Sequence, residues 1–426
     1  MTDEVDLRDL AVRHRRALHD LVAIGVTGSC GKTTTTDLIA AVLSGRYRVS
    51  RSDGFWNCGL GIAHSLLSVR PDDDFYVQEL GAWGPGTLDA GIELVHPDVA
   101  VITNFRDDHY SSFRGARGAQ AEKGKLLSAV EPGGTAVLNY DDALVRELAD
   151  QTTARTLCFG RHAKADLRAF NVTARWPERL AFCVTYRGET RRVSTRLLGE
   201  HLLGSALAAI GVGLAFGLSL DEVAAALGGV EPHFRRMSPV VAPDGITFIR
   251  DDYKAPADSI PEVLGFMADA VAERKVGVFG RISDYPGRSR RCYSRVAREA
   301  LAVLDVVIFV GQRATDLWGE QWSTAVTDQA ALRERLEPAT GWWRALPAIG
   351  DMLVLGTVRD ASDFLADFLR AGDLVLLKAS GEADHLERVL LSREQAVNCW
   401  LTSCGKKEAC DVCSFLPLGG VSVCAG

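Results

Sequence analysis

The stretch VAIGVTGSCGKTTTTDLIAAVL, residues 22–43, decides how this 426-residue chain folds. An apolar run, a short Gly/Ser loop, Lys32 and four threonines read as a β-strand, a tight loop and a helix, in that order. Such a junction leaves backbone N–H groups pointing out of the helix N-terminus, so Gly28-Ser29-Cys30-Gly31 can wrap an anion, phosphate being the expected one. Lys32 then reaches the β- and γ-phosphates as a point charge and the Thr33 hydroxyl ligates Mg²⁺, with Thr27 and Thr34 completing the nucleotide-binding run. The spacing departs from the common pattern, which has a glycine where Val26 stands. A Gly-rich turn feeding an ordinary helix is the alternative, and the order strand, loop, Lys-Thr, helix favours the nucleotide.

A length of 426 residues allows two or three domains, and 47% apolar with 24% charged residues is ordinary for a globular chain. A net charge of −7 argues against nucleic acid as a partner. The first twenty residues, MTDEVDLRDLAVRHRRALHD, are charged throughout and lack the apolar centre of a signal peptide, so the expected location is the cytoplasm. Residues 202–220 carry no charge; they are rich in Gly and Ala and are followed by Asp221 and Glu222, which predicts a buried helix rather than a membrane span.

Five of the ten cysteines are scattered, whereas Cys399, Cys404, Cys410, Cys413 and Cys424 crowd the last 28 residues. The spacing C-x4-C-x5-C-x2-C suggests a tetrathiolate zinc or iron–sulfur site on the first four, against a tail of reduced thiols as the plain alternative.

Elsewhere strands and helices alternate. FYVQELG, DVAVITN and TAVLNY each precede a helical stretch, as in parallel βαβ units, and period-two alternation between Leu167 and Leu198 predicts an antiparallel hairpin set. Alternation resumes with KVGVFG, DVVIFVG and DLVLLKAS after a Pro-bearing loop. The expectation is therefore an α/β chain: a parallel-sheet ATPase domain with a small antiparallel part over residues 1–237, a Rossmann-like domain over 238–395, and a Cys-rich tail over 396–426. Glu79 ends one predicted strand and Asn104, Asp107, Asp108 and His109 follow another, where ligands of open α/β sheets gather. A carboxylate and an imidazole beside a phosphate loop suit one or two Mg²⁺ ions, although lone acids at strand ends are more often solvated.

These segments together resemble the Mur ligases, which join a carboxylate to an amine with ATP and include folylpolyglutamate synthetases and the ligase half of cyanophycin synthetase. The resemblance runs from Val22 to about Leu391 through TGSCGKTTT, QELGAWGPGTL, VITNFRDDH, AEKGKLL, LNYDD, LLGEHLLGSALAA, FRRM, RDDYKAPADS and LLKASGEADHLE. The branch that adds dipeptides to muramoyl peptides is the most similar, through ELGA and Lys378-Ala379-Ser380. The resemblance implies ATP and Mg²⁺ as cofactors. It makes Lys32 and Thr33 the phosphate lysine and metal threonine, Glu79 and His109 metal-binding positions, and Lys123 a lysine that many members carbamylate to help hold a second Mg²⁺. Asn139 and Arg236 fall where the family contacts nucleotide, and Asp251 where it contacts ribose. Lys32, His109 and Lys123 are thus the expected catalytic groups. Lys378 and Ser380 are expected at the substrate.

Three departures qualify the expectation. The family's H-N-x-x-N reads His201-Leu202-Leu203-Gly204-Ser205, so both adenine-contacting asparagines are replaced. D-S-Y-N-A-N-P reads Asp251-Asp252-Tyr253-Lys254-Ala255-Pro256-Ala257. Only 21 residues precede Val22, where cell-wall members carry a UDP-gripping domain, which predicts a smaller acid, a peptide or a carrier-bound carboxylate rather than a UDP-muramoyl acceptor. The implied chemistry is ADP-forming amide synthesis through an acyl phosphate. The loop RISDYPGRSRRCYSR holds five arginines, Arg281 and Arg288 among them, against one acid, which suits an amine bearing a free carboxylate. A P-loop phosphotransferase or ATP-driven switch, and a degenerate ligase serving as a metal-binding scaffold, are the alternative readings of the same residues.

Overall fold

The computed structural model describes residues 2–54, 56–107, 109–318, 352–402, 404 and 408–418, so Asp108 and Cys424 lie outside the described residues. The chain divides into two compact units, Met1–His233 and Phe234–Gly426.

Among the described residues the first unit is built on nine strands: β1 Val22–Thr27, β2 Val49–Arg51, β3 Phe75–Glu79, β4 Val99–Ile102, β5 Thr135–Asn139, β6 Arg155–Gly160, β7 Leu167–Thr173, β8 Ala181–Tyr186 and β9 Glu189–Ser194. Their order across the sheet is β2-β3-β1-β4-β5-β6-β7-β8-β9. Pairing is parallel as far as β7 and antiparallel from β7 to β9, so the predicted hairpins continue the same sheet. Because parallel strands are covered on both faces, alternate residues enter opposite cores. Ile24, Val26, Val77, Val99 and Val101 join one, against the helices Lys32–Ser44 and Leu203–Ala215. Ala23, Tyr76, Ala100 and Ile102 join the other. Most of the charge-free stretch, Leu203–Ala215, is thus a largely buried helix, and among the described residues no helix is long and apolar enough to cross a membrane.

β1 lies between β3 and β4 although β2 follows it in sequence. The chain therefore reverses direction across the sheet beside β1, and the loops leaving the carboxyl ends of β1, β3 and β4 open on one crevice, the usual ligand position in open α/β sheets.

The second unit holds β10 Ser238–Val241, β11 Thr247–Asp251, β12 Arg274–Phe279, β13 Val306–Val310, β14 Met352–Leu355 and β15 Asp373–Lys378. They are ordered β10-β11-β15-β12-β13-β14, and among the described residues only the β10–β11 pair is antiparallel. The apolar runs of β12, β13 and β15 feed a core shared with the helices Val358–Phe368 and Glu387–Glu394. The tail folds back on itself: Asn398 and Cys399 donate their backbone N–H groups to the Leu416 carbonyl, while Cys410 and Leu416 pack against Leu391.

Candidate active site

In the first unit the loop after β1 is shaped by two glycines with positive φ, Gly28 (142°) and Gly31 (83°). A Cβ at Gly28 would run into the Thr103 hydroxyl and lie 3.1 Å from the Asn104 N and O, so the close approach of the loop to the end of β4 requires glycine. Asn104 secures the loop by accepting the Cys30 N–H at Oδ1 (3.0 Å) and the Ser29 N–H at its carbonyl (2.9 Å). Thr103 donates to the Cys30 carbonyl (2.7 Å), and Asn139 at the end of β5 donates to the Thr103 carbonyl (2.8 Å). Thr27 donates to the Leu80 carbonyl (2.8 Å), tying β1 to the chain leaving β3. Lys32 is half-buried and donates to the Gly28 and Ser29 carbonyls (2.8 and 3.1 Å), which keeps its ammonium over the loop.

Thr33, in the first turn of the helix Lys32–Ser44, donates its hydroxyl to Glu79 Oε2 (2.6 Å), while Asn57 donates to Glu79 Oε1 (2.8 Å). Both Thr33 and Glu79 are buried. A hydroxyl and a carboxylate sharing a buried niche beside a phosphate-type loop are the hard oxygen donors that Mg²⁺ prefers, so these residues fit that ion. His109 adopts φ 45° after β4, and its ring centroid lies 6.3 Å from that of Phe113. Lys123 is fully buried with Nζ 5.5 Å from the same Phe113 ring. Its neighbour Glu122 accepts the Leu88 and Gly86 N–H groups (2.8 and 2.9 Å), so the segment that carries Lys123 is tied to the loop after β3. Against the cost of burial, the Leu88 N–H, the Lys125 ammonium and the Gly86 N–H hold the Glu122 carboxyl below the usual range.

Sequence reasoning did not single out Asn57, Thr103 or Glu122. Asn57 lies in no quoted motif, Thr103 lies within VITNFRDDH with nothing in its residue type to mark a role, and Glu122 shows its role only through backbone donors brought from Gly86 and Leu88. Ser205, which stands where the family has asparagine, has its hydroxyl over Gly31, and a Cβ there would lie 3.0 Å from it.

In the second unit Asp251 and Lys378 are register partners at the ends of β11 and β15, and Lys378 Nζ donates to Asp251 Oδ2 (2.6 Å) and to the Lys254 carbonyl (2.9 Å). The Arg236 guanidinium stacks 4.3 Å over the Tyr253 ring. Asp384, also unanticipated, accepts the backbone N–H groups of Arg281 (2.5 Å) and Ser380 (3.2 Å). Burial outweighs those two bonds and pushes its carboxyl up to about 6. Of the loop arginines, Arg281 and Arg288 are exposed, Arg290 donates to the Leu317 carbonyl (2.6 Å) and Arg295 pairs with Glu299 (3.2 Å).

Beneath the Asp251–Lys378 pair runs a buried ionic network. Asp252 accepts from Arg235 Nε (3.2 Å), Arg250 Nε (3.3 Å) and Arg250 Nη2 (3.0 Å); Arg250 also meets Asp411 (2.5 Å) and Arg235 meets Glu387 (3.3 Å). The predicted tetrathiolate does not form among the described residues. Cys410 lies instead with His385 and Glu387, and Cys404 approaches the other ring nitrogen of His385, because the helix beginning at Glu387 comes to the tail in the fold rather than in the sequence. An iron–sulfur cluster, which takes thiolate ligands, has no counterpart in that set.

Comparison with known proteins defines the class. Residues 26–213 match the Mur ligase middle domain and residues 235–381 the Mur ligase, glutamate ligase domain. The chain is 32% identical over 372 residues to the UDP-N-acetylmuramoyl-tripeptide--D-alanyl-D-alanine ligase of Mycobacterium tuberculosis, spanning 85% of this chain and 71% of that protein. The corresponding ligase of Bacillus subtilis is 30% identical over 258 residues, spanning 61% of this chain and 55% of that protein. In fold it resembles a crystal structure of MurF from Acinetobacter baumannii (TM-score 0.76, 23% identity, 92% of this chain and 81% of that one). It also resembles MurF ligase from Thermotoga maritima in complex with ADP (TM-score 0.72, 21% identity, 92% and 82%).

The chain belongs to the Mur ligase family. It is an ATP-dependent, ADP-forming ligase that makes amide bonds. The expectation that a UDP-muramoyl acceptor is excluded finds no support, since the similar ligases are named for that acceptor.

Proposed function

We propose that this ligase activates a peptide-type carboxylate as an acyl phosphate and condenses it with an amino acid or dipeptide that keeps a free carboxylate. The observation that carries the reading is the buried Thr33–Glu79 pair at the start of the phosphate-loop helix. In this reading the loop N–H groups and Lys32 neutralise charge on the transferring phosphoryl group. Thr33, Glu79 and His109 hold Mg²⁺, which when bound polarises phosphoryl oxygens. Lys123, buried where an ammonium is costly, adds dissolved CO₂ at its neutral Nζ and releases a proton to solvent, giving a carbamate that would contribute a further anionic oxygen donor. Asn139, Arg236 and Asp251 serve the nucleotide. Arg281, Arg288, Lys378 and Ser380 serve the amine, whose carboxylate suits a guanidinium fork. The nucleophilic nitrogen attacks the acyl carbon, phosphate leaves, and the ammonium proton passes to solvent. The need for ATP fits the cytoplasm.

The acid is a UDP-muramoyl peptide, as in the names of the similar ligases, or a simpler peptide or carrier-bound carboxylate. The test is incubation of the full chain with ATP, Mg²⁺ and each acid, with D-alanyl-D-alanine, free amino acids and their methyl esters as amines. Phosphate release and product mass are then measured. Phosphate and amide are expected in equal amounts, and only with amines that keep a free carboxylate. Phosphate without amide overturns the ligase reading, and equal use of the esters overturns the carboxylate clamp.

A further inference from the structure

The second unit contains a group of side chains that the ligase reaction does not use. His385, Glu387 and Cys410 are all buried, and their donor atoms lie within 4.8 Å of one another. Cys410 Sγ is 3.5 Å from His385 Nδ1, and Glu387 Oε1 is 3.9 Å from the same nitrogen. Tetrahedral angles on Zn–S of about 2.3 Å and Zn–N of about 2.0 Å separate sulfur from nitrogen by roughly 3.5 Å. The spacing of thiol and imidazole is therefore that of two ligands sharing one ion.

The surroundings match as well. With Nδ1 directed at an ion, the remaining N–H of His385 is on Nε2, which faces Cys404 Sγ at 3.6 Å. Metal-bound imidazoles commonly donate their second N–H to such a partner, which fixes tautomer and ring orientation. Arg388 Nε points at Cys410 Sγ (3.2 Å) and Arg235 Nη2 at Glu387 Oε2 (3.3 Å), so both anionic donors are held in place from behind. The Cys410 N–H donates to Glu387 Oε1 (3.2 Å), drawing thiol and carboxylate to the same side.

We propose that His385 Nδ1, Glu387 and Cys410 Sγ bind one Zn²⁺ ion, with Cys404 orienting the histidine from outside the coordination shell. One sulfur, one nitrogen and one oxygen donor suit a borderline-soft cation and disfavour Mg²⁺ and Ca²⁺. On binding, the Cys410 thiol forms the Zn–S bond and releases its proton to solvent. The ion joins the tail to the start of the helix Glu387–Glu394. It is independent of the ligase chemistry, whose failure or success leaves it untouched.

The full chain is stripped with a strong chelator, re-equilibrated with Zn²⁺ and assayed by elemental mass spectrometry; a parallel sample is loaded with Co²⁺. About one zinc per chain is expected, with a cobalt spectrum showing tetrahedral d–d bands and a thiolate charge-transfer band of single-thiolate intensity. Cys410→Ser removes that band; Cys399→Ser and Cys413→Ser retain it. Cys404→Ala retains it but weakens zinc affinity about 10–100-fold. Wild-type protein that retains no stoichiometric zinc overturns the proposal without reliance on any variant's folding. A band of four-thiolate intensity, or its loss in Cys399→Ser or Cys413→Ser, also overturns it, as does unchanged zinc affinity in Cys404→Ala.

Discussion

Replacing Asp252 by Ala tests how the second unit is held together. Asp252 is fully buried at the end of β11 and accepts three charge-assisted hydrogen bonds from Arg235 and Arg250 at 3.0–3.3 Å. Arg250 keeps Asp411 and Arg235 keeps Glu387, but each guanidinium loses its central partner and stays out of water. Breaking a buried pair by removing one partner costs about 3–5 kcal/mol, because the other charge is left uncompensated. For a unit of this size each kcal/mol moves the midpoint by about 2–4 °C, so a fall of roughly 6–20 °C is expected. Calorimetry gives the midpoint, and amide exchange on β11 and β15 locates the loss. The control is Asp72→Ala, which breaks the exposed Arg48–Asp72 pair (3.1 Å) and should barely move the midpoint. If the two variants melt within error of each other, the network does not hold β11 and the reasoning fails.

Lys32→Ala should lower nucleotide-dependent phosphate release by at least 10²–10³-fold, the scale of a lost charge-stabilising donor, while the melting midpoint stays put; retained turnover would remove Lys32 from the chemistry. Gly28→Ala, at φ 142° and against the Thr103 hydroxyl, should cost about 1–3 kcal/mol and weaken ATP binding measured by calorimetry. Asp384 has its carboxyl raised to about 6, so the folded state holds its proton more tightly than the unfolded chain does. That contribution is fully present below about pH 4 and is lost as pH rises through 6, on the order of 2–3 kcal/mol. Relative to Asp384→Asn, the wild type should lose stability across that window in urea titrations; parallel curves would refute the assignment.

The phosphate loop and the long apolar strands were legible because their signals are local: β1, β3, β4, β5, β12, β13 and β15 are runs that only a sheet buried on both faces accommodates. β11 was not, since TFIRD ends in Arg250 and Asp251, and the partners that make a buried arginine tolerable are Asp252 and Asp411, the latter 161 residues away. β2, with three residues, is too short to show a period. The cysteine spacing drew attention to the tail but misassigned its grouping, because His385 and Glu387 reach Cys410 only through tertiary structure. Asp384 was invisible for a related reason. Its partners are backbone N–H groups, which any sequence at 281 and 380 would offer.

The position of β1 has a consequence for how the protein comes into being. Ile24 pairs with Val77 on one side and Val99 on the other, and the Asn104 and Thr103 contacts that shape the phosphate loop lie beyond the second partner. Ser205, over Gly31, comes later still. During synthesis the loop is therefore made before every partner that shapes it and acquires its form only after they have followed, since loop closure over such separations precedes any reward from pairing. Until β3 at Phe75–Glu79 has followed it, the apolar strand Val22–Thr27 has no edge to join and needs shielding.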